Sequence, residues 1–170
     1  MIALIPLLRR HWLIAALLVS ATMLAIAHAF QTFGGLQPCT LCLRQREVYW
    51  TAAAVAAIGA ALNLTGSGKR VRPVFCAALA LIFFAGAAVA AYHAGAEWKW
   101  WPGPTTCSAA GGGVSAASLA NLMHGAKIAA PRCDEAPWHL LGLSMAGWNA
   151  LASLIFAGLS LWAALEERPK

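Results

Sequence analysis

The sequence predicts an all-α membrane protein, a bundle of four transmembrane helices, and three observations carry that expectation. The 170 residues are 61% hydrophobic and only 11% charged, against about 45–50% apolar and 25% charged in soluble domains. Four apolar stretches reach the roughly 20 residues that cross a hydrocarbon core about 30 Å thick. The basic residues gather at the ends of those stretches. A net charge of +6 and a pI near 9.4 therefore do not describe a nucleic-acid-binding surface, which needs its cations clustered on a solvated face.

The stretches are residues 12–30, 43–64, 74–93 and 144–165 of a single membrane domain, 1–170. Backbone in lipid must satisfy its own hydrogen bonds, so runs of this length are helices and not open strands. Ala-rich segments such as "TAAAVAAIGAALNL" repeat small residues at i and i+4, which lets helices approach closely. The first stretch has a basic start, an apolar core and an Ala-x-Ala ending that also describe a cleavable signal peptide. Cleavage after Ala29 would change the helix count but not the side on which the next connection lies.

Orientation follows from Lys and Arg, which stay cytoplasmic. Arg9 and Arg10, then Lys69, Arg70 and Arg72 of "TGSGKRVR", then Arg168 and Lys170 share one side only if both termini are cytoplasmic. The connections 31–42 and 94–143 then lie on the outer side. Cys39, Cys42, Cys107 and Cys133 fall on that side, where disulfides persist. Cys76 falls inside the third helix and reads as a small buried hydrophobe.

"PCTLCLRQRE", residues 38–47, opens the second helix with a C-x-x-C. Its spacing admits a redox pair, half of a zinc site or a static bridge, with Cys107, Cys133, His93, His124 or His139 as further zinc ligands. A helix start lowers a thiol pKa because free N–H groups and the dipole favour the anion. Arg46, four residues after Cys42, can set a guanidinium on the same face. A charge within the apolar zone costs about 2.5–3.5 kcal/mol, so an arginine there has reason to serve a thiolate, and a zinc site would gain nothing from it. Arg44 reads as snorkelling to the headgroups.

The long connection holds "EWKWWPGPTTCSAAGGG" and "APRCDEAPWHLLGLSMAGW". So much Gly and Pro cannot build a core, and loops of this length are usually functional or disordered. Trp98, Trp100, Trp101 and Trp138 suit the headgroup level. "SLANLMHGA" places Leu119, Leu122, Met123 and Ala126 on one face of a short interfacial helix. Two thiol pairs, one fixed and one on a loop, make a sensible relay for thiol–disulfide exchange.

These features together resemble the disulfide bond formation protein B (DsbB) family of bacterial inner-membrane oxidases. The likeness spans nearly the whole chain. It includes the P-C-x-x-C at the head of the second helix, the arginine four residues on, and above all C-x4-W-x2-L-G-L-x-M-x2-W in "CDEAPWHLLGLSMAGW". A vitamin K epoxide reductase-like oxidase would place its C-x-x-C late, before a closing helix.

The resemblance implies a Cys107–Cys133 disulfide attacked at Cys107 by a periplasmic DsbA-type thiol oxidase, after which Cys133 attacks Cys39. Cys42 is then freed as a thiolate in charge-transfer contact with a quinone, ubiquinone or menaquinone. Arg46 and His93 lie beside that quinone, and no metal takes part. DsbA is poised near −120 mV and structural disulfides below about −300 mV, a gap of roughly 8 kcal/mol for two electrons that is closed either by the arginine and helix terminus destabilising the Cys39–Cys42 disulfide or by the favourable reduction of quinone, or by both. Gln45 stands where a relative has an acid and Glu97 where it has an amide, exchanges that bear on proton delivery. The non-catalytic alternative is a zinc-binding or disulfide-stapled membrane scaffold.

Overall fold

The computed structural model describes residues 8–64, 68–104, 123 and 132–165, with the side chains of 68–70 excepted. Helix α1 spans Trp12–Thr32, α2 Thr40–Leu64, α3 Gly68–Glu97 and α4 Met145–Leu165. All four are long and apolar enough to cross a membrane. Leu18, Trp50, Leu81, Phe84 and Ile155 turn outward, each at least 59% exposed. Apolar surface so spread over every helix suits lipid and not water. The chain is a multi-pass membrane protein.

Each helix buries a narrow seam in which small residues alternate with a few large ones. In α2 the seam runs Gln45, Tyr49, Ala52, Ala56 and Gly59, a spacing of four and three that keeps one side inward. A Cβ on Gly59 would stand 2.8 Å from the Phe75 ring, so the glycine sets how closely α3 can approach. Helix α3 packs most extensively on α4, then on α2, and α2 packs on α1. Phe83, Leu79 and Cys76, all fully buried, form the centre with Tyr49, Ala52 and Ala157. Cys76 is the buried hydrophobe its sequence suggests. Trp12 donates from Nε1 to Ser160 Oγ at 2.9 Å, and the Arg9 guanidinium lies 5.7 Å above the Trp162 ring; together they tie the start of α1 to the end of α4.

The helix ends differ from the sequence expectation in an instructive way. Helix α2 begins at Thr40, three residues early, because Cys39 caps it. Helix α3 begins at Gly68, so Lys69, Arg70 and Arg72 lie in its first turns and not in a connection, and Pro73 sits inside it. Near a helix start a missing N–H is cheap, since the first amides have no intrahelical acceptor. At its other end α3 continues past His93 to Glu97, carrying that acid on the same helix one turn further.

Between α3 and α4 lies a hairpin the sequence does not announce, β1 His139–Leu140 paired with β2 Leu143–Ser144. Its turn residues Leu141 and Gly142 have φ of 51° and 82°, the positive values a tight two-residue hairpin requires. The expected interfacial helix at 119–126 lies outside the described residues except for Met123, which is helical and 84% exposed. Tyr92 and Trp101 stack with centroids 5.8 Å apart, Trp100 leans on Trp98 at 4.7 Å, and Trp138 meets Phe30 at 5.6 Å. These aromatics gather around one end of the bundle.

Candidate active site

Cys39 is the N-cap of α2. Its carbonyl accepts the first helical bond, from Leu43 N–H at 3.0 Å, and its Sγ accepts the Cys42 amide N–H at 3.2 Å. A cap side chain usually offers oxygen to such orphan amides; here sulfur does so, next to the positive end of the helix dipole. The Cys42 Sγ lies 2.8 Å from the Cys39 Sγ, and both cysteines are free thiols. Cys39 is pulled down from 9.0 to about 4, by the hydrogen bond to the Cys42 thiol first, and then by His93 and the Cys42 amide, against the opposing effect of burial. The first cysteine of the pair is the anion, and the second serves it as a donor.

His93 closes the site from α3. Its ring is 4% exposed, with Nε2 at 3.7 Å from Cys39 Sγ and at 3.7 Å from Glu97 Oε1. A directional chain of hydrogen bonds fixes its tautomer. The Tyr49 hydroxyl donates to Asn149 Oδ1 at 2.6 Å, Asn149 Nδ2 donates to Gln45 Oε1 at 2.5 Å, and Gln45 Nε2 donates to His93 Nδ1 at 2.8 Å. The imidazole proton is therefore on Nε2, facing the sulfur and the carboxylate. Cys39, Cys42 and His93 do bring their donor atoms within 4.8 Å of one another. A metal would need Nε2 bare and Gln45 turned over, so this arrangement suits a thiol pair and its hydrogen-bond partner.

Arg46 takes a different place from the one its spacing suggests. Its guanidinium donates to Gln31 Oε1 at 2.6 Å and to the Ala27 carbonyl at 3.0 Å, both on α1. Among the described residues it makes no hydrogen bond to Cys42. Arg44 is 71% exposed and pairs with Glu47 at 2.9 Å, as a side chain reaching for the headgroups would.

Cys133 is held in a disulfide and is fully buried, packed in one small cluster with Cys39, Leu41 and Cys42. The Thr40 hydroxyl lies 3.5 Å from its sulfur. Cys107 lies outside the described residues. Lys99, just past α3, grips the residue after Cys133, donating to both the carbonyl and the carboxylate of Asp134 at 2.7 Å. Arg132 first, and then Lys99, hold the Asp134 carboxyl well below its usual range. Lys99 and Arg132 are largely exposed and Asp134 partly so, and the cluster orients this stretch of chain more than it stabilises it.

Sequence reasoning missed Tyr49, Asn149 and Ser144, and it singled out Gln45 and Glu97 only as exchanges that bear on proton delivery, without the partners they find here. The signal was present: Cys42, Gln45 and Tyr49 continue the spacing of Ala52 and Ala56, so these polar groups belong to the buried seam of α2. Polar side chains inside a lipid-embedded bundle face its interior and find partners there.

A groove of about 620 Å³ opens between α2 and α3, lined by Leu41, Val48, Ile82, Ala85, Val89 and Tyr92, with Arg44 and Glu47 also on its wall.

The chain's likeness to known proteins agrees with this chemistry. The family model described as disulfide bond formation protein DsbB matches residues 9–163. A disulfide bond formation protein B from Chromohalobacter salexigens is 32% identical over 94% of this chain and 93% of its own length. The protein of the same name from Azoarcus sp. is 29% identical over 95% of each chain, and that from Methylococcus capsulatus 30% identical over 85% of this chain and 87% of its own. No solved structure matches it. A paired thiol capping a membrane helix beside a buried disulfide, within a match this extensive, places the chain in the DsbB family of disulfide-forming membrane oxidoreductases.

Proposed function

We propose that the chain reoxidises a periplasmic DsbA-type dithiol protein and passes the electrons through Cys107 and Cys133, then Cys39 and Cys42, to a membrane quinone. The observation that carries this reading is the packing of Cys133 against Cys39 at the head of α2. Exchange needs one sulfur to approach another in line, and these two start in one cluster. Orientation with both termini cytoplasmic, from the basic residues, puts the site on the periplasmic side.

In the forward direction the partner's thiolate attacks Cys107, breaking its bond to Cys133. The Cys133 thiolate then attacks Cys39 of the oxidised pair, and Cys42 leaves as a thiolate. The partner's second thiol then breaks its bond to Cys107, releasing the partner as a disulfide and Cys107 as a thiolate, and Cys107 attacks Cys133 to restore their disulfide and free Cys39. Cys39 and Cys42 now hold the two electrons as a reduced pair and return to a disulfide when those electrons are taken up. The partner has lost two electrons and two protons.

A quinone, when bound, supplies the acceptor for both. The groove between α2 and α3 is apolar enough to hold such a group and begins at Leu41, the neighbour of Cys42; His93 stands 3.7 Å from Cys39 and Arg46 one turn beyond Cys42 on α2, both outside the groove's lining. Arg46 holds the end of α1 against α2 from its own bonds to Ala27 and Gln31. His93 holds the proton-bearing Nε2 toward the sulfur.

The test is turnover. Purified chain with a reduced DsbA-type protein and a soluble quinone should consume quinone, and Cys39→Ser and Cys42→Ser should each abolish that consumption. Cys107→Ala should also prevent a mixed disulfide with the partner; undiminished rates in these variants would remove the assignment.

A further inference from the structure

The tip of the hairpin between α3 and α4 carries apolar side chains where water would favour polar ones. Leu141 and Gly142 both have positive φ, and the two central positions of such a turn are usually filled by Gly, Asn or Asp. A leucine there carries a steric penalty from its Cβ. Leu141 is also 86% exposed, and Leu140 beside it is exposed as well. A strained backbone position and an uncovered apolar side chain thus coincide in one residue.

The hairpin is mounted firmly on the bundle. Ser144 of β2 is buried and donates to Glu97 at the end of α3, while Trp138, just before β1, meets Phe30 of α1. Trp148, one turn into α4, donates from Nε1 to the Leu140 carbonyl at 3.0 Å. Helical side chains lean toward the N-terminus of their helix, so Trp148 reaches back to the hairpin from the outer face of α4. That face runs on below it. Trp148, Leu151 and Ile155, spaced three and four apart, form one stripe along the helix, and all three are exposed. The 21 residues of α4 make a rod about 30 Å long, the thickness of a hydrocarbon core. Met145 therefore stands at the edge of that core, and the hairpin lies at the depth of the headgroups.

We infer that the hairpin tip is a membrane-surface anchor, with Leu140 and Leu141 inserted among the headgroups and upper acyl chains at this end of the bundle. Exposed apolar patches mark contacts with protein or membrane, and continuity decides between them here. The tip prolongs the stripe of α4 that faces lipid, and Trp148 joins the two. Lipid gives Leu141 the apolar surroundings that water denies it. Cys133 precedes the hairpin on the same stretch, so a seated tip fixes the far end of the segment that carries this sulfur.

The test places a nitroxide at the tip without using cysteine. Leu141→p-acetylphenylalanine is coupled to a hydroxylamine spin label, and the chain is reconstituted in vesicles of phosphatidylethanolamine and phosphatidylglycerol. Collisions with oxygen, which concentrates in lipid, are compared with collisions with a nickel chelate, which stays in water. The same label at Glu135, which is exposed and paired with Arg132, is the aqueous reference. The oxygen-to-nickel ratio at 141 should exceed that at 135 severalfold. A ratio no higher than at 135 would put the tip in water and overturn the inference. Few collisions with either reagent would overturn it too, by showing protein over the tip. Leu140→p-benzoylphenylalanine gives a second reading outside the strained turn: irradiation in the same vesicles should add the mass of one phospholipid. Adducts with a second copy of the chain, or none with lipid, would contradict the anchor.

Discussion

At the scale of single residues, the site is a sulfur doing the work of a cap. Cys39 accepts the Cys42 amide and the Cys42 thiol at once, with the His93 Nε2–H close by, and each of these favours the anion. Because its pKa is lowered to about 4, the thiolate is present above that value and is lost as pH falls through it. Iodoacetamide labelling of Cys39 should therefore stay fast from neutral pH down to about 5 and fall away near 4. A midpoint close to the ordinary thiol value of about 8.5 would show that the cap does not act on the sulfur.

Arg46 offers a contrasting case. Removing it in Arg46→Ala strips two charge-assisted bonds from the α1–α2 seam, a loss of about 1.5–3 kcal/mol each at most for such groups. The variant should melt earlier, while the Cys39 titration stays where it was. An unchanged melting point with a shifted titration would assign the guanidinium to the sulfurs.

At the scale of elements, the four helices were legible because lipid imposes a length and a composition that soluble packing does not. Their ends were less so. The sequence cannot easily show that a cysteine, and not a Ser or Asp, caps α2, or that Pro73 is tolerated inside α3. Expecting Arg46 beside Cys42 followed from spacing along one helix. Spacing alone cannot weigh the competing acceptors on α1, Gln31 and the Ala27 carbonyl, which come from another segment. His93 was legible as a residue near the pair, whereas its tautomer depends on amides of α2 and α4 that meet only in the folded bundle.

The end of α3 gives an element-scale prediction. A Cβ on Gly95 would lie 2.0 Å from a ring carbon of Trp101. Gly95→Ala should therefore push that ring off Tyr92, losing the stack and the 2.9 Å bond from Trp101 Nε1 to the Tyr92 carbonyl. Overpacking of this kind costs about 1–3 kcal/mol. Thermal unfolding should show the loss in the single variant and little further loss when Gly95→Ala is added to Trp101→Ala; equal losses in both backgrounds would mean that the clash lies elsewhere.

At the scale of the whole molecule, the fold gathers one end of four helices around a thiol pair, a buried disulfide half and a polar chain that runs from Tyr49 to Glu97. The core below it sets Phe83, Leu79 and Trp12 among Ala16, Ala52, Ala56 and Ala157, and where the small residues meet, the helices approach closely. Family membership says that the chain makes disulfides. The arrangement at the head of α2 sets Cys39, which accepts the Cys42 amide, in one buried cluster with Cys133. The most direct measurement is anaerobic mixing of the fully reduced chain, in lipid nanodiscs, with a stoichiometric quinone, counting thiols and quinol together. One quinol formed for every two thiols lost, and none formed in Cys42→Ser, is the predicted result. Thiols left intact while the quinone absorbance does not change would contradict the account.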